Sequence, residues 1–325
     1  MKAFWFRLPQ TLIRAFGIHQ IENYNFFQYP ILEDNRHWPG FAESNYKVNR
    51  ILSETLGKRV DLIGNIQENV SELIVDYNLL WNLESNFFEN NRDKIKSFAI
   101  MDYAVGDHSP FLSDLFRSHV PFLKATRNSF FLWKKFKPNI FYDWTGSFFP
   151  ETRYFPWYWQ NIKIDVPLFN SRAVKALQEF SLYSKNILDF LESEKPLLVQ
   201  TNLGTSLEEI RTNIEITLSL NDVQFDTIFI KPHRSVGHKI GLHGSIRNIK
   251  VVSFDSALEK CLPAEILIFG NSKSQLLSPI SSTIFSTPSE RLFRWDNKNV
   301  DMSGYWFAHN RRKAIDKNYP WRQIN

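Results

Sequence analysis

The stretch DTIFIKPHRSVGH, residues 226–238, joins a run of strand formers to a cluster of basic side chains. Thr227, Ile228, Phe229 and Ile230 are β-branched or aromatic, the residue types that fit a pleated, buried surface. Lys231, Pro232, His233 and Arg234 follow at once, and the proline locks the backbone beside the histidine. Three basic side chains leaving one strand end repel one another unless an anion sits among them. In open α/β sheets ligands bind beyond the carboxyl ends of the strands. The stretch therefore predicts a sheet and an anion site at its edge.

Working outward, LLVQ (197–200), IKVVSF (249–254), AEILIFG (264–270) and SPISSTIF (278–285) read as further strands. TNLGTSLEEIRTNIEITLSL (201–220) reads as a loop and a helix, with Ser206 and Glu209 spaced as a capping box. Strands alternating with helices indicate a parallel α/β sheet. Before it, NSRAVKALQEFSLYSKNILDFLESE (170–194) reads as one long helix capped by Asn170 or Ser171. Residues 1–165 are rich in Asn, Phe and Trp. Within them KRVDLIGNI (58–66) and IKSFAIMDYA (95–104) read as strands, and NVSELIVDYNLLWNLESNFF (69–88) carries helical spacing. Residues 141–167 crowd aromatics among Pro and Gly and read as loop with short strands. The expected organisation is an α/β domain over 1–169, a connecting helix over 170–195 and a second α/β domain over 196–285. A tail, 286–325, is left to return to the first domain.

At 325 residues two domains are favoured over one. Hydrophobic content of 43% against 22% charged places the chain among globular proteins with full cores. A net charge of +5 suits an anionic ligand or membrane surface. It is too mild for nucleic acid, and no nucleic-acid motif accompanies it. The single cysteine, Cys261, excludes a disulfide framework and points to a reducing compartment. The N-terminus is broken by Arg7, Pro9, Arg14 and His19, so it offers no export signal. No window reaches the ~18 apolar residues of a membrane span. A cytoplasmic protein is expected, with peripheral membrane contact through the basic stretch 309–323 as one use of that tail and plain solvation as the other.

Three elements of the second half carry chemistry. Lys231-Pro232-His233 supplies cationic and imidazole donors. Ser281, Ser282 and Thr283 place hydroxyls and backbone N–H groups where they can open a helix, a nest suited to phosphate. Glu265, just after Pro263, offers a carboxylate to a ribose diol. Together they compose a nucleotide-phosphate site with no Gly-rich loop, for the sequence lacks GxxxxGK[ST]. Singly, each has an ordinary reading: a loop histidine, a helix cap, and a helix start where the dipole favours Glu. Their order and spacing carry the functional reading.

In that order the chain resembles the bacterial GT-B sialyltransferases, namely the lipooligosaccharide sialyltransferases, the capsular polysialyltransferases and their multifunctional relatives. The second domains of that family carry a lysine and histidine at a strand end, then Pro-x-Glu, then a Ser-Ser or Ser-Thr pair. Here these are Lys231-Pro232-His233, Pro263-Ala264-Glu265 and Ser281-Ser282-Thr283. The resemblance implies two Rossmann-like α/β domains facing a central cleft and an inverting transfer of sialic acid, or a related nonulosonic acid, from a CMP-sugar to a glycan hydroxyl. It implies that His233 bonds the donor phosphate and protonates it as CMP leaves, that Lys231 lies near the cytosine, that Glu265 binds the ribose and that Ser281 and Ser282 hold the phosphate. The family's proline after the histidine is Arg234 here, placed to grip a phosphate or the sialyl carboxylate.

The family's general base sits at the end of a first-domain strand, within an acidic pair followed by Gly. IMDYAVGDHS offers Asp102, with Asp107 as its rival; the acidic pair itself is not intact. Trp144, Trp157 and Trp159 are suited to stacking on acceptor sugars or to filling a core. No metal motif stands out and no cofactor is expected beyond the CMP-sugar donor. The alternatives are a Kdo transferase, a CDP-glycerol-dependent polymerase, and a non-catalytic glycan-binding subunit.

Overall fold

Lys2–Phe6, KAFWF, forms β1, an almost continuous apolar run buried along its length. Such runs belong to strands covered on both faces. The computed structural model describes residues 1–33, 37–63, 68–76, 79, 91–101, 140–143, 160–163, 165–202, 204–220, 224–236, 241–279, 281, 283, 287–295 and 322–323. The fold is mixed α/β and divides into two units: Met1–Ile31 with Leu52–Phe169, and Leu32–Ile51 with Asn170–Asn325.

In the first unit β1 is joined by β2 (Asn25–Gln28), β3 (Val60–Leu62), β4 (Glu72–Asp76), β5 (Phe98–Met101), β6 (Ile140–Asp143) and β7 (Gln160–Lys163). Their order is β3-β2-β1-β4-β5-β6-β7, with every pair parallel. This is the doubly wound order, which reverses beside the first strand. A short helix, α1 (Pro9–Leu12), follows β1 with Pro9 in its first turn, where the missing N–H costs nothing. Of the helix expected over 69–88, Glu72–Asp76 is instead the strand β4, while Leu79 is helical. Leu73, Ile74 and Val75 are all fully buried. A short apolar run bearing β-branched residues satisfies both helical and buried-strand patterns, and here the sheet claims it.

The second unit holds the first part of α2 (Phe41–Thr55), then α3 (Val166–Ser181) from Asn170 onward and α4 (Lys185–Glu192). The single helix expected over 170–194 is therefore two. Asp165 caps α3 earlier than expected, Oδ1 accepting from Leu168 N–H at 2.8 Å. Ser184 interrupts the run as the N-cap of α4 and accepts from Ile187 N–H at 3.3 Å, so its hydroxyl takes over a donor that the helix would leave unbonded. The remaining elements are β8 (Pro196–Gln200), α5 (Leu207–Leu220), β9 (Thr227–Lys231), β10 (Gly244–Ile246), β11 (Ile249–Ser253), α6 (Ala257–Cys261), α7 (Ala264–Gly270), β12 (Gln275–Ser278), β13 (Leu292–Arg294) and β14 (Arg322–Gln323). AEILIFG, expected as a strand, is α7 with all seven residues buried. Among the described residues of SPISSTIF only Ser278, where β12 ends, is strand.

The sheet order is β10-β11-β9-β8-β12-β13-β14. Only β10, paired with β11, runs antiparallel; leaving it aside, the doubly wound order recurs with β8 as first strand. Strands β13 and β14 extend this sheet from β12, so these stretches of the tail belong to the second unit. Alternation along β9 sends Ile228 and Ile230 into one core layer with Ile210 and Ile214 of α5. Phe229 meets Phe190 of α4 edge-on at 5.0 Å, on a ring stack with Phe254 at 5.6 Å. Burying each such aromatic contributes about 2 kcal/mol. The site residues at the strand end thus leave an element pinned from both faces.

Candidate functional site

The second sheet reverses between β8 and β12, the place where ligands of open α/β sheets bind, beyond the carboxyl ends of the strands. Gln200 ends β8. Its Oε1 accepts from Ser281 Oγ at 3.2 Å and from Ser278 Oγ at 3.4 Å. The two serine oxygens lie 3.2 Å apart, and Ser278 also donates to the Pro279 carbonyl at 2.8 Å. Ser278 is fully buried, whereas Ser281 is partly open. Beside Ser278 in register stands Arg294, also buried. Thr283 is buried too, its carbonyl accepting from Thr287 N–H at 3.2 Å and from Thr287 Oγ1 at 2.8 Å.

Across β8 from the serines, the end of β9 delivers His233. Thr201 N–H continues the ladder to the Lys231 carbonyl at 3.1 Å, and Thr201 Oγ1 accepts from His233 N–H at 3.3 Å. The chain then turns, with Val236 N–H donating to the His233 carbonyl at 2.9 Å and Ser235 N–H to His233 Nδ1 at 3.3 Å. Because Nδ1 accepts, the neutral ring carries its proton on Nε2. Burial pushes the imidazole pKa down to about 4, helped by the charges of Arg234 and Lys231. At neutral pH the ring is an uncharged N–H donor.

Lys231 is buried, and its ammonium donates to the Lys260 carbonyl at 2.8 Å and the Pro232 carbonyl at 3.1 Å. It ties the C-terminal end of α6, the end that favours a cation, to the end of β9. Burial pushes its pKa down to about 8, against the pull of Cys261, Glu265 and Glu259. Glu265, in the first turn of α7, is 2% exposed. Burial pushes the Cys261 thiol up to about 11, so it is not the thiolate that nucleophilic chemistry needs.

Trp38, far away in sequence, donates its indole N–H to the Arg234 carbonyl at 3.0 Å. Lys260 Nζ stands over the same ring at 6.0 Å from its centroid. Further along the edge, His243 Nε2 lies 3.1 Å from Asp255 Oδ2, while Ser253 Oγ donates to Asp255 Oδ1 at 3.0 Å. Hydroxyls, an imidazole N–H and cations gathered at carboxyl ends suit a phosphate-bearing ligand.

Of the residues singled out in the sequence, Lys231 and His233 stand at the end of β9 and Ser281 beyond β12, all linked through β8. Glu265 couples electrostatically to Lys231. Asp102, Asp107, Ser282, Trp144, Trp157, Trp159, His238 and residues 309–321 lie outside the described residues. Gln200, Thr201 and Trp38 carry no motif of their own; the position of Gln200 at the end of the expected strand 197–200 was the one available signal. Among the described residues, no group of three or more His, Cys, Asp and Glu side chains is placed to hold a metal ion, and no helix is long and apolar enough to cross a membrane. Comparison with family models, curated proteins and solved structures finds no match to the chain.

Proposed function

We propose that the protein is an inverting glycosyltransferase of the GT-B type that takes a sialic or related nonulosonic acid from a CMP-sugar and delivers it to a glycan hydroxyl. The observation that carries this reading is the convergence of His233 with the Gln200–Ser278–Ser281 cluster at the reversal point of a doubly wound sheet. In this reading the donor phosphate lies between them. Ser281 Oγ, turning its one proton from Gln200 Oε1, and the Nε2–H of His233 donate to its oxygens as the glycosidic bond breaks and charge develops on CMP, the step where preorganised donors act most strongly. Lys231 and Arg234 supply positive potential, and Glu265 is covered together with the nucleoside. The acceptor hydroxyl loses its proton to a carboxylate, assigned to Asp102, which follows directly on β5 in sequence. Attack from the face opposite the phosphate inverts the anomeric centre.

The test is direct. Purified protein is incubated with CMP-sialic acid, CMP-Kdo and CDP-glycerol, with and without a glycan panel, and nucleotide release and product are followed by chromatography. Release of CMP from CMP-sialic acid, increased by an acceptor, is expected. Turnover of CDP-glycerol alone would replace the donor assignment, and binding of CMP without turnover of any donor would make the protein a nucleotide-binding subunit.

A further inference from the structure

The turn that presents His233 is held by three bonds of its own neighbourhood and by one that comes from the far end of the sequence. His233 N–H, Ser235 N–H and Val236 N–H are spent on Thr201 Oγ1, His233 Nδ1 and the His233 carbonyl. The Arg234 carbonyl receives the Trp38 indole N–H at 3.0 Å. Residues 32–51 group with the second unit, so this bond lies within that unit. Trp38 is anchored in turn. Its ring meets Phe41 edge-on at 5.9 Å, Phe41 is 2% exposed, and His37 stacks on Phe41 at 4.1 Å. Lys260 stands over the indole, and the carbonyl of the same Lys260 receives the Lys231 ammonium. One indole therefore touches both arms of the cluster, the turn after β9 and the end of α6.

We propose that Trp38 is a positioning residue for this site: its N–H, donated to the Arg234 carbonyl, fixes the 233–236 turn so that Ser235 N–H stays on Nδ1 and the ring offers Nε2–H to the phosphate. The catalytic consequence rests on the function proposed above; the effect on the ring does not. Without the indole N–H the turn loses the bond that Trp38 supplies from outside the β8–β9 region. The Ser235–His233 bond, at 3.3 Å already near the limit of its kind, then yields to the other tautomer.

The experiment compares wild type with Trp38→Phe, which keeps a six-membered ring and removes the indole N–H with the five-membered ring that carries it, in full-length protein labelled with ¹⁵N-histidine. His233→Gln assigns the resonance, and thermal melting checks folding. In wild type the His233 signals are those of a ring protonated at Nε2 only. In Trp38→Phe they move toward a mixture of tautomers, and turnover with a CMP-sugar falls about 10-fold at saturating donor through misplacement of the ring. A folded Trp38→Phe with unchanged His233 signals overturns the proposal. A tautomer change in a protein that turns over no CMP-sugar upholds the positioning and overturns the function. Should Trp38→Phe fail to fold, Trp38→Met, which fills the same space with a flexible apolar side chain and no donor, is read by the same signals. There a shift toward mixed tautomers supports the proposal, and unchanged signals overturn it.

Discussion

Ser235 N–H and His233 Nδ1 lie 3.3 Å apart, and the bond between them decides which nitrogen of the ring faces outward. A backbone group two residues on thus sets the polarity of a side chain. The ring so oriented is neutral at pH 7, since burial pushes its pKa down to about 4.

That depression has a signed consequence for stability. The folded pKa lies below the ordinary 6.5 of the unfolded chain, so between those values the unfolded state binds more protons. Stability present above pH 6.5 is lost as pH falls toward about 4. Melting temperatures measured across this window are expected to fall more steeply for wild type than for His233→Gln. Parallel curves would show that burial of the imidazole contributes nothing.

Replacing His233 with alanine is expected to lower turnover of a CMP-sugar by about 10²–10⁴-fold, the usual range for a lost proton-handling group. The fold should survive, because the ring is partly exposed. Steady-state rates at saturating donor provide the check. Near-normal turnover would make the histidine structural.

The serines should separate into two behaviours. Ser278 is fully buried with its hydroxyl bonded to Gln200, Ser281 and Pro279, so Ser278→Ala is expected to cost about 1 kcal/mol of stability. Ser281 is partly open, so Ser281→Ala is expected to weaken CMP binding several-fold with little change in melting. Calorimetric titration beside thermal unfolding distinguishes them, and the reverse pattern would place the phosphate elsewhere.

Asp102→Asn is expected to leave CMP affinity almost unchanged and to abolish transfer, since the proposed phosphate contacts do not include Asp102 and the acceptor hydroxyl then keeps its proton. Asp107→Asn serves as the comparison. Transfer lost only in the second variant would move the base to Asp107. Full activity in both would remove the base from residues 102–107.

In the packing of α7 on α3, a Cβ at Gly270 would stand 2.6 Å from Leu177 Cδ2 and 2.8 Å from its Cβ. Gly270→Ala is therefore expected to destabilise by about 1–3 kcal/mol through overpacking. Combined with Leu177→Ala, the total loss in urea unfolding should be smaller than the sum of the two single losses. Two additive losses would mean that the helices do not meet there.

What could be read from sequence divides along physical lines. The run at 227–230 and the Ser206 cap are local signals. The strand forms, and of the expected capping box one half forms: Ser206 Oγ accepts from Glu209 N–H at 3.1 Å, while the Glu209 carboxylate does not return the bond. AEILIFG and SELIVD were exchanged between helix and strand because a fully buried short run has no polar face from which to take a period. At the site, Lys231, His233 and Ser281 were legible because strand ends and hydroxyl runs mark themselves. Gln200 and Trp38 were not. Each acts through a partner far away in sequence, and neither residue type carries chemistry by itself.

The discontinuity of the second unit also orders events during synthesis. Residues 32–51 leave the ribosome long before Asn170 and everything after it, yet they are counted with that later unit. Folding of the first unit, complete only at Phe169, must proceed around a segment whose partners do not yet exist. Trp38 waits until Arg234 and Lys260 have been made. The nascent chain therefore carries an apolar, aromatic stretch without its cover for most of its translation. Such transiently uncovered surface is what chaperones bind, and residues 37–41 are where a holding factor is expected to act on this protein.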